Sequence, residues 1–167
     1  MPNAVVHILT PVILLNIYRD YITKKKFKLL YVLLAGLGGI LPDIDIVVYW
    51  LLNTLFGTPL SEVHRTISHT LLMPLLMIAA GAILYRHHKP VALGIFAIAF
   101  GYSTHLLLDY LLTGSLPILY PLSTAKYGLN LIPSTEIGST ILVGIDAILL
   151  TTWLAYDFYR NNIKDFI

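Results

Sequence analysis

The sequence predicts an all-α integral membrane protein of about five transmembrane helices in one bundle, and three observations carry that prediction. Of 167 residues, 57% are hydrophobic and only 12% charged, half of the roughly 25% charge that coats a soluble domain. Mean hydropathy is +0.77. Several uncharged runs approach or exceed the ~20 apolar residues needed to cross a hydrocarbon core. The same figures exclude disordered, collagenous and disulfide-scaffold proteins.

Taken in order, Ala4–Tyr18 is a short first helix with His7, Thr10, Pro11 and Asn16 inside it. Leu29–Leu52 is long enough but contains Pro42, Asp43 and Asp45, so it is expected to span to about Leu41 and then break. Ile67–Tyr85, Val91–Leu112 and Ile137–Tyr156 each qualify as spans. No internal repeat is evident, which predicts a single membrane-embedded domain over residues 1–167. Met1-Pro2-Asn3-Ala4 has no basic n-region and no small-residue cleavage site follows, so no removable signal peptide is read.

Lys and Arg in short loops set orientation. The first connection holds Arg19, Lys24, Lys25, Lys26 and Lys28, the third Arg86 and Lys89, and the tail Arg160 and Lys164. The second offers only Arg65 and the fourth only Lys126. The alternation predicts the N-terminus outside and the C-terminus inside. Tyr18, Tyr21, Tyr85, Tyr156 and Tyr159 read as an interfacial aromatic belt.

There are no cysteines, so thiolate nucleophiles, cysteine-ligated zinc and iron–sulfur clusters are excluded. A metal would have to sit on histidine nitrogen and carboxylate oxygen. A net charge of +2, scattered along the chain, gives no nucleic-acid footprint.

Depth along each helix follows from the 1.5 Å rise per residue. Asp43 lies about 21 Å beyond Leu29, and His105 about 21 Å beyond Val91, with Asp109 about 6 Å higher. His64 and His69 bracket the outer start of the third span, and His7 sits near the outer end of the first. Separate segments thus deliver His or Asp to the same outer third of the bilayer. Ionisable groups at such depths are tolerated when paired, facing water or bound to metal. Four histidines with three aspartates form a ligand set for a divalent cation, suiting zinc, with iron or manganese as alternatives. His87 and His88 lie in a basic loop at the opposite end, and Asp146 at mid-depth reads as a helix-packing or supporting residue.

Three local motifs carry the chemistry. His105 and Asp109 are four apart and share a helix face, as metal ligands or as an interhelical hydrogen-bonding pair. Asp43-Ile44-Asp45 follows Gly38-Gly39-Ile40-Leu41-Pro42, which breaks the helix where irregular backbone lines a cavity. The two carboxylates cannot share a helix face; one is read as a ligand and the other as a group that orients a histidine or takes a proton. In His64-Arg65-Thr66-Ile67-Ser68-His69 the histidines would be about 140° apart on a continuous helix. Both point inward only if the helix starts later. Arg65 beside them fits an anionic oxygen such as phosphate, or snorkels to the interface.

Together His7, GGILPDID, HRTISH and GYSTHLLLDYLLTGSLPILYPLS resemble the YdjM-like family, membrane-bound hydrolases described as metal-dependent and associated in bacteria with LexA regulation. The resemblance runs from His7 to about Ser123. The family is distantly similar to zinc-dependent phospholipase C and the P1-type nucleases. This implies that Asp43, His69 or His64, His105 and Asp109 ligate one metal, with Asp109 bridging to a second that also takes His7. The H-x-x-x-E helix that holds a third zinc in those enzymes has no counterpart here: the only glutamates are Glu62 and Glu136, neither four residues after a histidine. One or two ions are therefore implied.

The expected function is a membrane-bound metal-dependent hydrolase of an anionic phosphoester, phospholipid-like because the site lies at headgroup depth. It would act by metal-activated water, with Asp45 or Asp43 relaying the proton and Arg65 offsetting phosphoryl charge. Membrane lipids are the expected partners. The expected location is a prokaryotic cell membrane with the site towards the extracytoplasmic side. Two other readings use the same residues: a cation- or proton-handling transport protein, and a non-catalytic bundle stapled by a structural metal.

Overall fold

The computed structural model describes residues 4–23 and 27–160. Lys24, Lys25, Lys26 and Lys164, used above for orientation, lie outside them. Among the described residues the regular elements are helical: α1 (Ala4–Ile17), α2 (Leu29–Ile40), α3 (Asp45–Phe56), α4 (Leu60–Val63), α5 (Leu72–Leu84), α6 (Lys89–Leu111) and α7 (Glu136–Arg160). Four stretches are long and apolar enough to cross a membrane: Ala4–Ile22, Leu29–Phe56, Lys89–Leu111 and Glu136–Arg160.

The short first span gains length from a π-helical turn, Tyr18–Ile22, that continues α1. The second breaks where Pro42 stands, in a 3₁₀ turn at Leu41–Ile44, but then resumes as α3. Pro42 removes a backbone donor and forces the local tightening. Gly57, at φ +69°, ends α3 in the left-handed conformation that glycine adopts without strain. The expected third span is shorter than the sequence suggested. Residues 64–71 are spent on turns, including a 3₁₀ turn at Ile67–His69, and α5 has only 13 residues. It rises about 20 Å, against the ~30 Å of a hydrocarbon core. The expectation of about five spans, the first of them short, thus meets four stretches long enough to cross and, at α5, an apolar helix of lesser length.

Helix α6 is central and packs on α2, α5 and α1, while α7 packs chiefly on α1. Helices α2 and α6 approach so closely that their backbones touch. A Cβ on Gly101 would fall on the Ala35 carbonyl oxygen, and one on Gly39 on the His7 carbonyl oxygen of α1. Apolar burial drives no helix association inside lipid, so small residues that admit such contact supply the packing energy instead.

The two ends of the bundle differ. At one end Tyr156 donates to Asp20 at 2.7 Å, and Tyr31 to the Pro90 carbonyl at 3.3 Å. Arg160 lies over the Tyr21 ring and Lys89 over the Tyr85 ring. The described basic residues of the first and third connections and the tail, with the belt tyrosines, therefore gather at this end. At the other, residues 113–135 fold back over the end of α6. Leu129, Leu131 and Ile132 donate backbone N–H groups to the carbonyls of Tyr110, Leu111 and Leu112, satisfying acceptors that a helix end leaves open.

Replacing Gly101 by Val should separate α2 from α6 and lower the unfolding temperature in detergent, an overpacking cost of about 1–3 kcal/mol. Gly144→Ala, where a Cβ meets nothing within 4 Å, should leave it unchanged. Equal stability of the two variants would mean that the close contact does not hold the bundle.

Candidate metal centre

Every sequence-predicted site residue lies at the non-basic end, and all but Arg65 are drawn into one polar core. His7 comes from α1, Asp43 from the 3₁₀ turn, Asp45 from the start of α3, and His105 and Asp109 from α6. His64, Arg65 and His69 come from the turns before α5. Both histidines of that segment face inward because the helix starts only at Leu72; their rings meet edge to face at 5.1 Å. His7, His69, His105 and Asp109 are fully buried.

Four ligand atoms converge. The Nε2 atoms of His69 and His105 are 3.4 Å apart. Asp43 Oδ1 is 3.5 Å from the first and 3.6 Å from the second. Asp109 Oδ2 is 3.7 Å from His69 Nε2 and 3.9 Å from His105 Nε2. These spacings are long for hydrogen bonds. They approach the edge of a tetrahedron about zinc, about 3.3–3.4 Å for ligand bonds of 2.0–2.1 Å. Asp109 Oδ1 points the other way and lies 3.5 Å from His7 Nε2. His7, in turn, stacks on His105 with centroids 3.8 Å apart.

The hydrogen bonds behind these atoms decide where the ring protons sit. His105 Nδ1 is 2.7 Å from the Gly39 carbonyl, an acceptor only, so Nδ1 carries the proton and Nε2 is a bare lone pair. Ser68 Oγ donates to Asp45 Oδ2 at 2.5 Å and so accepts from His69 Nδ1 at 2.9 Å. His69 Nε2 is then bare as well. Two lone pairs face each other at 3.4 Å, a repulsive arrangement that a cation or a shared proton would relieve. Asp45 Oδ1 also accepts from His64 Nδ1 at 2.8 Å, and Oδ2 takes the Arg65 backbone N–H at 3.2 Å. Both Asp45 oxygens are thus engaged with the rings and turn behind the cluster.

Burial sharpens the electrostatics. Asp43, Asp45 and Asp109 against the Arg65 guanidinium leave a formal charge of −2 when the rings are neutral. Both His7 ring nitrogens, Asp43 Oδ1 and Asp109 Oδ1 are buried without a hydrogen-bond partner, a state that costs several kcal/mol for charged groups. A divalent cation would supply the missing charge and partners together. Two ligand triplets fit one: His7, His105 and Asp109, and Asp43, His64 and His69.

Arg65 sits at the rim. Its Nη2 donates to Asp109 Oδ2 at 2.9 Å, and its backbone takes φ +58°, a left-handed conformation unusual for a non-glycine residue. That twist turns the guanidinium back over the cluster against Gly114, where a Cβ would fall on Arg65 Nη1. Sequence reasoning missed Ser68 and Tyr102, which donates from its hydroxyl to the Ser68 carbonyl. A serine inside HRTISH gives no signal of its own until Asp45 is placed beside it. His87 and His88 are exposed at the basic end, as expected, and Asp146 is buried on α7.

The chain matches the family described as YdjM inner membrane protein over residues 1–163. It belongs to that family, and the resemblance read from the motifs extends over almost the whole sequence. No curated protein and no solved structure matches it. The family description states a membrane location and no reaction.

The left-handed turn at Arg65 generates a stability prediction. Arg65→Gly and Arg65→Ala both remove the guanidinium, but only glycine relieves the backbone. Thermal unfolding in detergent should show Arg65→Gly more stable than Arg65→Ala by about 1 kcal/mol. The reverse order would mean that the turn is not left-handed.

Proposed function

We propose that this member of the YdjM inner membrane protein family is a metal-dependent hydrolase of anionic phosphoesters, with a phospholipid-like substrate. The carrying observation is the pair of facing Nε2 lone pairs, His69 and His105, set between Asp43 and Asp109 in a buried cluster of formal charge −2. Asp43, His69, His105 and Asp109 would hold one ion. Asp109 Oδ1 and His7 reach towards a second, and His64 is an alternative ligand beside Asp43 and His69. The nitrogen and oxygen donors suit zinc, and manganese or iron accept the same set.

A bound divalent ion supplies Lewis acidity, making water a nucleophile near neutral pH and offsetting phosphoryl charge. The chain does the rest. Arg65, with a planar fork at the rim, binds an anionic phosphoryl oxygen and holds it over the cluster. Asp45 and Ser68 fix the His64 and His69 rings, an arrangement that favours a positioning role for Asp45. Asp43, holding the ion through Oδ1, would then take the proton of the water on its other carboxylate oxygen. The basic residues at the opposite end support a site facing the extracytoplasmic side, following loop charge.

The rival reading, a cation- or proton-handling protein, gains one observation: Asn16, Asp146 and Asp157 are also buried on α1 and α7. Asn16 lies about 13 Å below His7 along α1, with Leu9 and Val12 buried between them. That gap is too wide for direct transfer, and it favours the hydrolase.

Elemental analysis of detergent-purified protein should find one or two transition-metal ions per chain, lost in Asp109→Asn and in His105→Ala. No metal after reconstitution with zinc or manganese overturns the proposal. Histidine ligands must be deprotonated to bind metal, so bound metal and activity should fall together below about pH 6. Arg65→Ala should keep the metal and lose at least tenfold in phosphate release from phospholipid vesicles. A purely structural metal would leave no release to lose, and cation uptake into sealed liposomes without release would favour transport.

A further inference from the structure

The 12-residue helix α3 leaves the site at Asp45 and the chain returns to it at His64, where the two side chains hydrogen-bond at 2.8 Å. Between them the excursion packs on little beyond itself: α3 contacts chiefly the 3₁₀ turn and α4. Val47, Val48, Trp50, Leu51, Leu55 and Phe56 are all exposed, Phe56 to 75%. From Ile46 to Ser61 there is no charged residue.

We infer that this α3 arm is embedded in the membrane leaflet that holds the site, with lipid as its partner. Two observations choose lipid. First, the exposed face is continuous with the exposed face of the spanning helix below it: Leu30, Leu33 and Leu37 on α2 are followed by Ile44, Val47, Leu51 and Leu55 at helical spacing. Second, of the small residues through which helices approach one another inside lipid, α3 has only Thr54, whose hydroxyl is spent on the Trp50 carbonyl of its own helix; the α2–α6 contact shows what this chain uses for that purpose.

Length sets the geometry. The stretch Leu29–Phe56 has 28 residues, about 42 Å if upright, against about 30 Å of hydrocarbon. Asp43 is already about 21 Å up. The break at Pro42 lets the remaining helix lean towards the membrane plane, keeping Trp50 and Leu55 among acyl chains and headgroups. The arm then flanks Arg65 with lipid, so a phosphoester reaches the guanidinium from the headgroup layer.

The chain has only two tryptophans and no cysteine, which makes the arm directly testable. In Trp153→Phe protein reconstituted into phosphatidylcholine vesicles, Trp50 emission should be blue-shifted and lose most of its intensity to lipids with brominated acyl chains, with little loss to aqueous iodide. Red-shifted emission quenched by iodide would place the arm in water. Insensitivity to both quenchers would mean that protein, such as a second copy, covers it. Either outcome overturns the inference. As a second measurement, Leu55→Cys should resist a membrane-impermeant maleimide that labels Lys126→Cys on the exposed 113–135 segment; equal labelling rates would overturn it. None of these readouts depends on metal or on hydrolysis.

Discussion

The structure is organised around buried negative charge. Three carboxylates and one guanidinium sit with four imidazoles at the end of an apolar bundle, where a low dielectric magnifies every uncompensated charge. The irregular features of this end follow from supplying that cluster. The chain leaves helical geometry at 41–44 and again at 64–71, because Asp43 and Asp45, like His64 and His69, cannot converge from one continuous helix. The cost is a short α5. Helices α1 and α6 stay regular through the site, α1 supplying His7 alone and α6 supplying His105 and Asp109, which already share a face.

Packing and chemistry are coupled through the same glycines. With no Cβ at Gly38 and Gly101, α2 comes near enough to α6 for the Gly39 carbonyl to accept from His105 Nδ1. The contact that holds the helices together therefore also sets which His105 nitrogen faces the cluster. Asp45 and Ser68 do the same for His69 from the other side. Each ring is held from behind by a group with no other role at the cluster, the usual arrangement behind metal-binding histidines.

Much of this was legible in the sequence because depth along a helix is arithmetic. A fixed rise per residue brings Asp43, His105 and Asp109 to one level before any coordinate is known, and loop charge separates the two ends. Helix length at α5 was not legible: the mean composition from Ile67 to Leu84 is apolar despite Ser68, His69 and Thr70, and hydropathy does not register that Ile67–His69 is held in a turn by Asp45 and Tyr102. Ser68 was invisible because a hydroxyl acquires meaning only from its neighbours.

In the proposed metal site, the difference between a stapling ion and a reactive one would rest on Asp109. A closed structural site satisfies its ligands completely, yet here Oδ2 accepts from the Arg65 guanidinium and lies 3.7 and 3.9 Å from the bare His69 and His105 Nε2 atoms, while Oδ1 faces His7. An arginine bonded to a ligand carboxylate is poorly suited to a staple, because its positive charge opposes the cation. It suits a rim group that can exchange a carboxylate oxygen for a phosphoryl oxygen of similar charge and geometry. The left-handed backbone at Arg65 points the same way: strain held beside a cluster is more readily explained by a ligand to be positioned than by packing alone.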